Sequence, residues 1–320
     1  MFRSLFISIS KADWARRMIM SWKFAWRAAR RFVAGDKLED GIEAAQNLNQ
    51  KNINTTLDLL GEQTETLEQA EKATQSILEM LEAIQAAQVR SNVSVKLTQL
   101  GLKLDKQICA DNVQKILELA KKYNNFVRID MEDAACVDDT IGVFKEMRVN
   151  KGYENVGIVL QAYLYRTVDD LAKLMEIPAR IRLCKGAYKE PADVAFPKKK
   201  DVDANYDRAV KLMLDSALKA GAPTLSPDGR IPPIPCIASH DENRINYAIK
   251  YAKQIGLPND AIEFQMLYGI RRDIQSKLAE QGYHVRIYVP FGTEWYAYNM
   301  RRLAERPANL WFFLSNFFKK

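Results

Sequence analysis

The amino-acid sequence predicts an α/β protein built on a (β/α)8 TIM-type barrel with extra N-terminal helices. Eight strand-like segments alternate with helical segments, which is typical of a parallel sheet that closes on itself. The 320 residues accommodate one such barrel of about 250 residues. A doubly wound open sheet is the alternative. However, no two of the fourteen glycines are separated by a single residue, so the G-x-G-x-x-G fingerprint of dinucleotide-binding open sheets is absent.

The predicted strands are short segments rich in β-branched or aromatic residues, bounded by polar or turn-forming residues. In chain order they span 54–61, 93–97, 126–131, 156–163, 180–185, 234–239, 262–267 and 285–289. Pro290 and Gly292 are expected to end the last strand. The sequence predicts two regions: an N-terminal helical arm over 1–45 that packs on the barrel, and the barrel itself over 46–320.

Helices are predicted between the strands, because apolar residues recur there every three or four positions. They span 66–88, 112–123, 138–147, 168–175, 205–219, 242–254 and 273–280, and a final helix starts at Trp295. Two or three further helices are expected before the first strand. The loops over 191–200 and 221–235 are long and rich in Pro, Gly or Lys, and they are predicted to be rim loops or lids.

Composition narrows the class of protein. Hydrophobic residues make up 48% of the chain, enough for one large core. No apolar run reaches the roughly 18 residues that a membrane span needs, and no signal peptide is evident. The four cysteines are far apart in sequence, and the chain has only two histidines. A cytoplasmic protein with reduced thiols and no metal site is therefore expected.

The net charge of +7 is concentrated at the N-terminus. Residues 1–40 hold nine Lys or Arg and four Asp or Glu, a surplus of five, which leaves +2 for the other 280 residues. This basic segment also carries several aromatic residues, a combination that suits contact with an anionic membrane surface or nucleic acid. Packing of the aromatics on the main domain explains the same pattern and is the commoner outcome.

A polar or charged residue stands at the carboxyl end of almost every predicted strand. In a barrel these ends meet at one face, where active sites lie. Singly each residue is weak evidence, because Gln161 also fits a core amide and a lone histidine such as His240 is more often structural. Together Lys96, Asp130, Gln161, Arg182, Lys185, His240 and Tyr288 predict one shared site. It is expected to be strongly cationic, with Lys96, Arg182, Lys185, Arg301 and Arg302 facing Asp130 and Glu305, so its ligands are expected to be anionic. With no obvious nucleophile or P-loop, its chemistry is expected to come from a cofactor.

The predicted final helix carries aromatic residues followed by a pair of arginines. At about 100° per residue, Trp295, Tyr298, Arg301, Arg302 and Glu305 fall within roughly a third of the helix circumference. Two guanidinium groups suit bidentate binding of a carboxylate or phosphate, so this helix is predicted to be an anion clamp. The alternative is an exposed stripe in which Arg301 and Glu305 merely form an i,i+4 ion pair.

Several long motifs in the chain resemble those of the proline dehydrogenase family, over about residues 33–309. The motifs are SVKLTQLGL, RIDMEDA, GIVLQAYLYRT, RLCKGAYKEP, VAFPKKKDVDANY, EFQMLYGIR, VRIYVPFG and WYAYNMRRLAERP. The resemblance implies a flavoenzyme on a (β/α)8 barrel that oxidises L-proline to Δ1-pyrroline-5-carboxylate. It implies hydride transfer from proline C5 to flavin N5, with a membrane quinone as the electron acceptor. The compact length resembles the monofunctional bacterial type.

The resemblance also implies roles for individual residues at the matching positions. Lys96, Arg301 and Arg302 would bind the substrate carboxylate, and Asp130 and Tyr288 would complete the active site beside Lys96. The pocket wall around the pyrrolidine ring and the support of the final helix would come from Ala187, Leu267, Tyr298 and Glu305. The positions implied for FAD, with FMN also possible, are Met131, Gln161, Arg182, Lys185, Gly186, Ala187, Tyr188, Ser239 and His240.

Two other functions are compatible with parts of the sequence. One is a different flavin barrel, of the folate-reductase type, with a nicotinamide dinucleotide as electron donor. The Arg301–Arg302 pair favours a small carboxylate substrate instead. The other is a non-catalytic basic protein that binds membranes or RNA, which explains the N-terminal charge but not the charged strand ends. The sequence therefore predicts an enzyme that acts on proline, with no nucleic-acid partner and with possible peripheral membrane contact through its N-terminus.

Overall fold

The chain folds into a closed barrel of eight parallel strands with helices around it. The computed structural model describes residues 31–61, 63–188, 190–295 and 298. Each strand pairs with its sequence neighbours, and the last strand pairs with the first to close the barrel. The predicted (β/α)8 fold is confirmed. The strands are β1 Asn54–Leu59, β2 Ser91–Val95, β3 Val127–Ile129, β4 Val156–Gln161, β5 Arg180–Cys184, β6 Pro235–Ala238, β7 Glu263–Leu267 and β8 His284–Phe291.

Among the described residues, an α-helix follows each strand from β1 to β7, and one α-helix precedes β1. They are α1 Leu38–Asn49, α2 Leu67–Ala86, α3 Lys106–Lys122, α4 Val137–Lys145, α5 Thr167–Met175, α6 Lys199–Lys219, α7 Glu242–Ile255 and α8 Arg272–Glu280. Helix α4 continues as a π-helical turn over Glu146–Asn150. None of the described helices is long and apolar enough to cross a membrane. The helices predicted before Leu38 lie in residues outside the described part of the chain.

Two helices start about one and a half turns earlier than predicted. Helix α3 begins at Lys106, after Asp105 has capped it by accepting hydrogen bonds from the backbone N–H groups of Gln107 and Ile108. Helix α6 begins at Lys199, within a run of lysines that resembled a loop. Lysine is a good helix former, and Asp201 in the first turn of α6 is well placed against the helix dipole.

The prediction that Pro290 ends the last strand is wrong. Strand β8 continues to Phe291, and Pro290 pairs in register with Asp58 of β1. A proline lacks one ladder donor but keeps its carbonyl, which accepts a hydrogen bond of 2.9 Å from the backbone N–H of Ala34. The backbone N–H of Gly292 then donates to the carbonyl of Gly35. The residues just before α1 therefore lie against the carboxyl end of β8.

The loop over 221–235 lies at the amino-terminal ends of the strands, so the prediction of a rim loop or lid is wrong for it. Arg230 is 5% exposed and its guanidinium donates to Gln85 Oε1 at 2.7 Å and to the Tyr123 carbonyl at 3.0 Å. The carbonyl of Arg230 accepts from Asn92 at 3.0 Å. Because the loop precedes β6, it closes the bottom of the barrel.

The loop over 191–200 does lie at the carboxyl ends of the strands. Two backbone hydrogen bonds join it to the β4–α5 loop. The N–H of Tyr165 donates to the carbonyl of Val194 at 3.1 Å, and the N–H of Phe196 donates to the carbonyl of Tyr163 at 2.8 Å. The ring of Tyr165 also packs edge-on against that of Phe196, with centroids 4.5 Å apart. This loop forms a fixed part of the rim.

Candidate active site

A cavity of about 750 Å³ lies at the carboxyl ends of the strands. All eight strands, or the loops that directly follow them, contribute to its wall. Every predicted site residue that the structure describes lines it: Lys96, Asp130, Met131, Gln161, Arg182, Lys185, Gly186, Ala187, Tyr188, Ser239, His240, Leu267, Tyr288 and Tyr298. Their individual roles stay predictions. Arg301, Arg302 and Glu305 lie outside the described residues.

Asp130, directly after β3, joins three neighbouring side chains at the floor of the cavity. Its Oδ1 accepts hydrogen bonds from Arg182 Nη1 at 2.9 Å and Ser94 Oγ at 3.1 Å, and its Oδ2 accepts one from Tyr288 Oη at 2.7 Å. Burial and the adjacent Asp130 carboxylate raise the pKa of Tyr288 well above its ordinary value. Tyr288 therefore keeps its proton near neutral pH and acts as a hydrogen-bond donor.

Lys96, which follows β2, is paired with an acid that the sequence-based prediction missed. Its ammonium donates to Oδ1 of Asp58, a β1 residue that is 1% exposed, and lies 3.4 Å from Tyr288 Oη. Burial lowers the pKa of Lys96, but the carboxylates of Asp58 and Asp130 outweigh burial, and the net shift is upward. Lys96 is therefore a charged group on the cavity wall.

Arg182, on β5, has its guanidinium held on several sides. Besides Asp130, its Nη1 reaches Ser94 Oγ at 3.1 Å, and its Nε donates to Gln265 Oε1 at 2.5 Å. The guanidinium carbon lies 5.2 Å from the centre of the Tyr288 ring, within range of a cation–π contact. Such a group can offer positive charge to the cavity without reorganising.

Lys185, just beyond β5, forms ion pairs with two acids from α6 and the start of α7. Its ammonium bridges Asp203 and, at 2.7 Å, Asp241. Although burial raises the pKa of Asp241, its contacts with Lys185 and Lys199 outweigh this and lower it to about 2. Neither aspartate was predicted as a site residue, although Asp241 adjoins His240 and Asp203 lies in the quoted motif VAFPKKKDVDANY.

These pairings bear on the predicted positive charge of the site, of which Arg301, Arg302 and Glu305 lie outside the described residues. Within the described residues the site is not strongly cationic, because Lys96, Arg182 and Lys185 are each bonded to at least one carboxylate. The sequence shows the cations at the strand ends, whereas their acidic partners are brought in from distant segments by the fold. Most of the local charge is therefore balanced before any ligand binds.

Gln161, at the end of β4, offers a hydrogen-bond acceptor suited to a cofactor. Its amide nitrogen donates to the carbonyls of Met131 at 3.2 Å and Glu132 at 3.1 Å. Its Oε1 is buried and has no hydrogen-bond partner among the described residues. An unmet buried acceptor is costly, and a flavin ring has an imide N–H that could satisfy it. The fit between these residues and a flavin is therefore good at this point.

Gly186 lets the backbone turn sharply where the 186–188 segment lines the cavity. Its φ is +106°, and a Cβ at this position would lie 2.2 Å from Cδ1 of the Tyr163 ring. A side chain would therefore need both a disfavoured backbone conformation and a displaced tyrosine.

We expect the Gly186→Ala variant to lose bound flavin, because the 186–188 segment that lines the cavity must shift. The ratio of flavin to protein after purification measures this. Gly142→Ala is the matched control, since Gly142 is exposed in α4 with no atom within 4 Å of an added Cβ. That change should keep the flavin and raise helix stability by about 0.5–1 kcal/mol. Equal flavin content in the two variants would contradict the role given to Gly186.

The chain is similar to several known proteins. The family model described as "Proline dehydrogenase" matches residues 41–314. "Proline dehydrogenase 2" of Bacillus subtilis is 39% identical over 319 residues and the alignment covers 99% of each chain. "Proline dehydrogenase" of Deinococcus radiodurans is 41% identical over 297 residues, covering 92% of this chain and 91% of that protein.

Among solved structures, a similar fold occurs in proline utilization A (PutA) from Bdellovibrio bacteriovorus, inactivated by N-propargylglycine. The TM-score is 0.79 at 25% sequence identity, and the match covers 95% of this chain. The chain spans only 36% of the length of that protein. The match therefore concerns one part of a longer chain.

Proposed function

Since the chain belongs to the proline dehydrogenase family, we propose that the cavity at the carboxyl ends of the strands is its active site. The enzyme oxidises L-proline to Δ1-pyrroline-5-carboxylate, a reaction that removes a hydride from C5 and a proton from the ring nitrogen. A bound flavin supplies the hydride acceptor. The non-catalytic membrane- or RNA-binding alternative is thereby set aside.

The observation that carries the assignment of the site is the convergence of Asp130, Arg182 and Tyr288. They line the same cavity as Gln161, whose Oε1 has no hydrogen-bond partner in the described part of the chain. We assign Gln161 to the imide edge of the flavin. Arg182 would lie near the pyrimidine end, where a fixed cation stabilises the negative charge of the reduced ring. Lys185, the 186–188 backbone, Met131, Ser239 and His240 would hold the remainder.

For the substrate, we propose that Lys96 contributes positive charge toward the proline carboxylate. Arg301 and Arg302 would complete this clamp, as the sequence motif of the final helix predicts. Leu267, Ala187 and Tyr298 supply apolar and aromatic wall on the same cavity, suited to a pyrrolidine ring. Tyr288 and Asp130 would orient the substrate and the adjacent charges.

We propose FAD rather than FMN as the flavin. The lining of the cavity includes Asp58 on β1 and Lys96 after β2, and it extends to Asn243 at the start of α7 and Arg271 before α8. The cavity is much larger than proline and an isoalloxazine ring require, which leaves room for a nucleotide portion. Chromatography of the flavin released by denaturation distinguishes the two, and a release of FMN alone would contradict this assignment.

The electron acceptor is proposed to be a membrane quinone, reached by a cytoplasmic enzyme in peripheral contact with the membrane. Support for this comes from the surplus of five positive charges in residues 1–40. Each Lys or Arg near an anionic surface contributes about 1 kcal/mol of attraction.

The test of the proposed function is anaerobic addition of L-proline to the purified protein. We expect a flavin spectrum that bleaches as proline reduces the cofactor, with Δ1-pyrroline-5-carboxylate formed in equal amount. Pyrrolidine, which has the same ring without the carboxylate, is the control and should bleach the flavin far more slowly at equal concentration. A protein that binds no flavin, or whose flavin is bleached by a nicotinamide dinucleotide and not by proline, would overturn the proposal.

A further inference from the structure

A continuous chain of hydrogen bonds runs from the active-site Arg182 down through the barrel interior. Gln265 and Glu263 both point inward from β7, and they are 4% and 0% exposed. Gln265 Oε1 accepts from Arg182 Nε at 2.5 Å, while its Nε2 donates to Glu263 Oε1 at 2.5 Å. Glu263 Oε1 in turn accepts from Arg286 Nε at 2.8 Å. The chain therefore connects two buried guanidinium groups through one amide and one carboxylate.

The chemistry of the groups fixes the direction of every bond in this chain. A guanidinium only donates, so Arg182 Nε requires the oxygen end of the Gln265 amide. A carboxylate paired with arginine only accepts, so Glu263 requires the nitrogen end. The two requirements agree. A reversed amide would set an N–H group against Arg182 Nε and an oxygen against the Glu263 carboxylate.

Glu263 is itself held in place from below. Arg286, 1% exposed, donates not only to Glu263 but also to the carbonyls of Thr55 at 2.6 Å and Gly229 at 2.7 Å. These contacts with β1 and with the bottom loop fix the guanidinium, and hence the carboxylate. The position of Glu263 therefore does not depend on what occupies the active site.

We propose that Gln265 is a positioning residue for Arg182, and that Glu263 sets which end of the Gln265 amide faces it. Gln265 fixes the rotation of the guanidinium, so that Nη1 points at Asp130 and Ser94 and the guanidinium carbon lies 5.2 Å from the centre of the Tyr288 ring. This inference rests on the proposed function, in which Arg182 stabilises the reduced flavin. Without Gln265 the guanidinium would lose a buried acceptor and turn to find another, and its charge would move relative to the flavin.

The first test is the Gln265→Leu variant, with its crystal structure as a readout that needs no flavin. We expect Nη1 of Arg182 to leave its 2.9 Å contact with Asp130. In the flavin-loaded enzyme we expect the reduced form to be disfavoured about tenfold, a fall of about 30 mV in midpoint potential for a two-electron couple. The kcat should fall while the KM for proline changes little, because the residues proposed to bind the carboxylate are untouched.

Gln275→Leu is the matched control. Gln275 is equally buried, at 4% exposed, and its amide donates to the carbonyls of Leu267 and Ile270 without touching Arg182. It should lower thermal stability without shifting the potential or moving Arg182. A potential shift of the same size in both variants would overturn the proposal, because it would reflect general loosening of the β7 region.

The double variant Glu263→Gln/Gln265→Glu covers the case in which Gln265→Leu does not fold. It keeps the total charge and lets the new carboxylate accept from Arg182 while the new amide bridges to Arg286. In the double variant we expect Arg182 to keep its contact with Asp130. In Glu263→Gln alone we expect the Arg182 guanidinium to adopt two orientations. The inference is overturned if Arg182 keeps its original position in the Gln265→Leu variant. If that variant does not fold, the inference is overturned if Arg182 keeps a single, original orientation in the Glu263→Gln variant. A wild-type protein without flavin would instead contradict only the proposed function, since the position of Arg182 in the crystal structures of wild type and variants can still be compared.

Discussion

Replacing Arg182 with methionine is expected to slow reduction of the flavin by proline about 100- to 1,000-fold, the usual effect of removing one preorganised donor aimed at developing negative charge. Methionine keeps much of the length of the side chain but loses the cation. Asp130 loses an ion pair of 2.9 Å, so its negative charge adds to the unfavourable field. Stopped-flow measurement of flavin bleaching under anaerobic conditions gives the rate.

Two further variants define the cause of that effect. Arg182→Lys should recover only part of the rate, because an ammonium cannot bond Gln265, Ser94 and Asp130 in the planar arrangement of a guanidinium. Arg180→Met is the matched control, because Arg180 starts the same strand but donates to the Pro232 carbonyl in the bottom loop. Equal slowing by Arg180→Met and Arg182→Met would mean that the loss comes from strand distortion.

Replacing Lys96 with methionine should raise the KM for proline about 10- to 200-fold, which corresponds to loss of a charge-assisted bond of about 1.5–3 kcal/mol. It should also destabilise the fold by up to about 3–5 kcal/mol, because Asp58 is left buried without its cation. Steady-state kinetics and thermal unfolding measure the two effects separately. Lys103→Met is a suitable control, since Lys103 follows the same strand but is 40% exposed.

The double variant Lys96→Met/Asp58→Asn separates binding from stability. Removing the orphaned charge should restore most of the unfolding temperature while the KM stays high. If the KM also returned to the wild-type value, Lys96 would have acted through the fold, not on the substrate.

The destabilisation by Lys96→Met should depend on pH. Burial raises the pKa of Asp58 above 3.8, and Lys96 opposes that shift, so the variant raises it further. A carboxyl with a raised folded pKa contributes stability that is present at low pH and is lost as the pH rises through that pKa. The difference in unfolding temperature between wild type and variant should therefore be larger at pH 7 than at pH 5.

The barrel and the location of its site could be predicted from sequence because both depend on local patterns. The periodicity of strands and helices depends on residues that are close in sequence, and the parallel strands of a barrel have their carboxyl ends at one face. Gln161 and Arg182 could thus be assigned to one site although 21 positions apart in sequence. The family resemblance gave the chemistry, which the alternation alone does not specify.

What could not be predicted depends on contacts between distant segments. Asp58, Asp203, Asp241 and Gln265 balance or orient the cations from other strands and helices, and no spacing in the sequence relates them. For Asp58 a signal did exist, because a carboxylate inside a predicted strand must find a partner when it is buried. The bottom loop was misassigned for a similar reason, since its Pro and Gly content is the same at either end of a barrel.

The bonds made by Arg286 also bear on the order in which the chain folds. Its partners Thr55, Gly229 and Glu263 lie 231, 57 and 23 residues earlier in sequence. Loop closure over such spans is slow relative to local helix formation. A nascent chain that has not yet released β8 from the ribosome holds Glu263 without its cation and β1 without its final neighbour. The interior of this barrel is therefore completed only after β8 has emerged from the ribosome, because until then the buried ion pair between Glu263 and Arg286 cannot form.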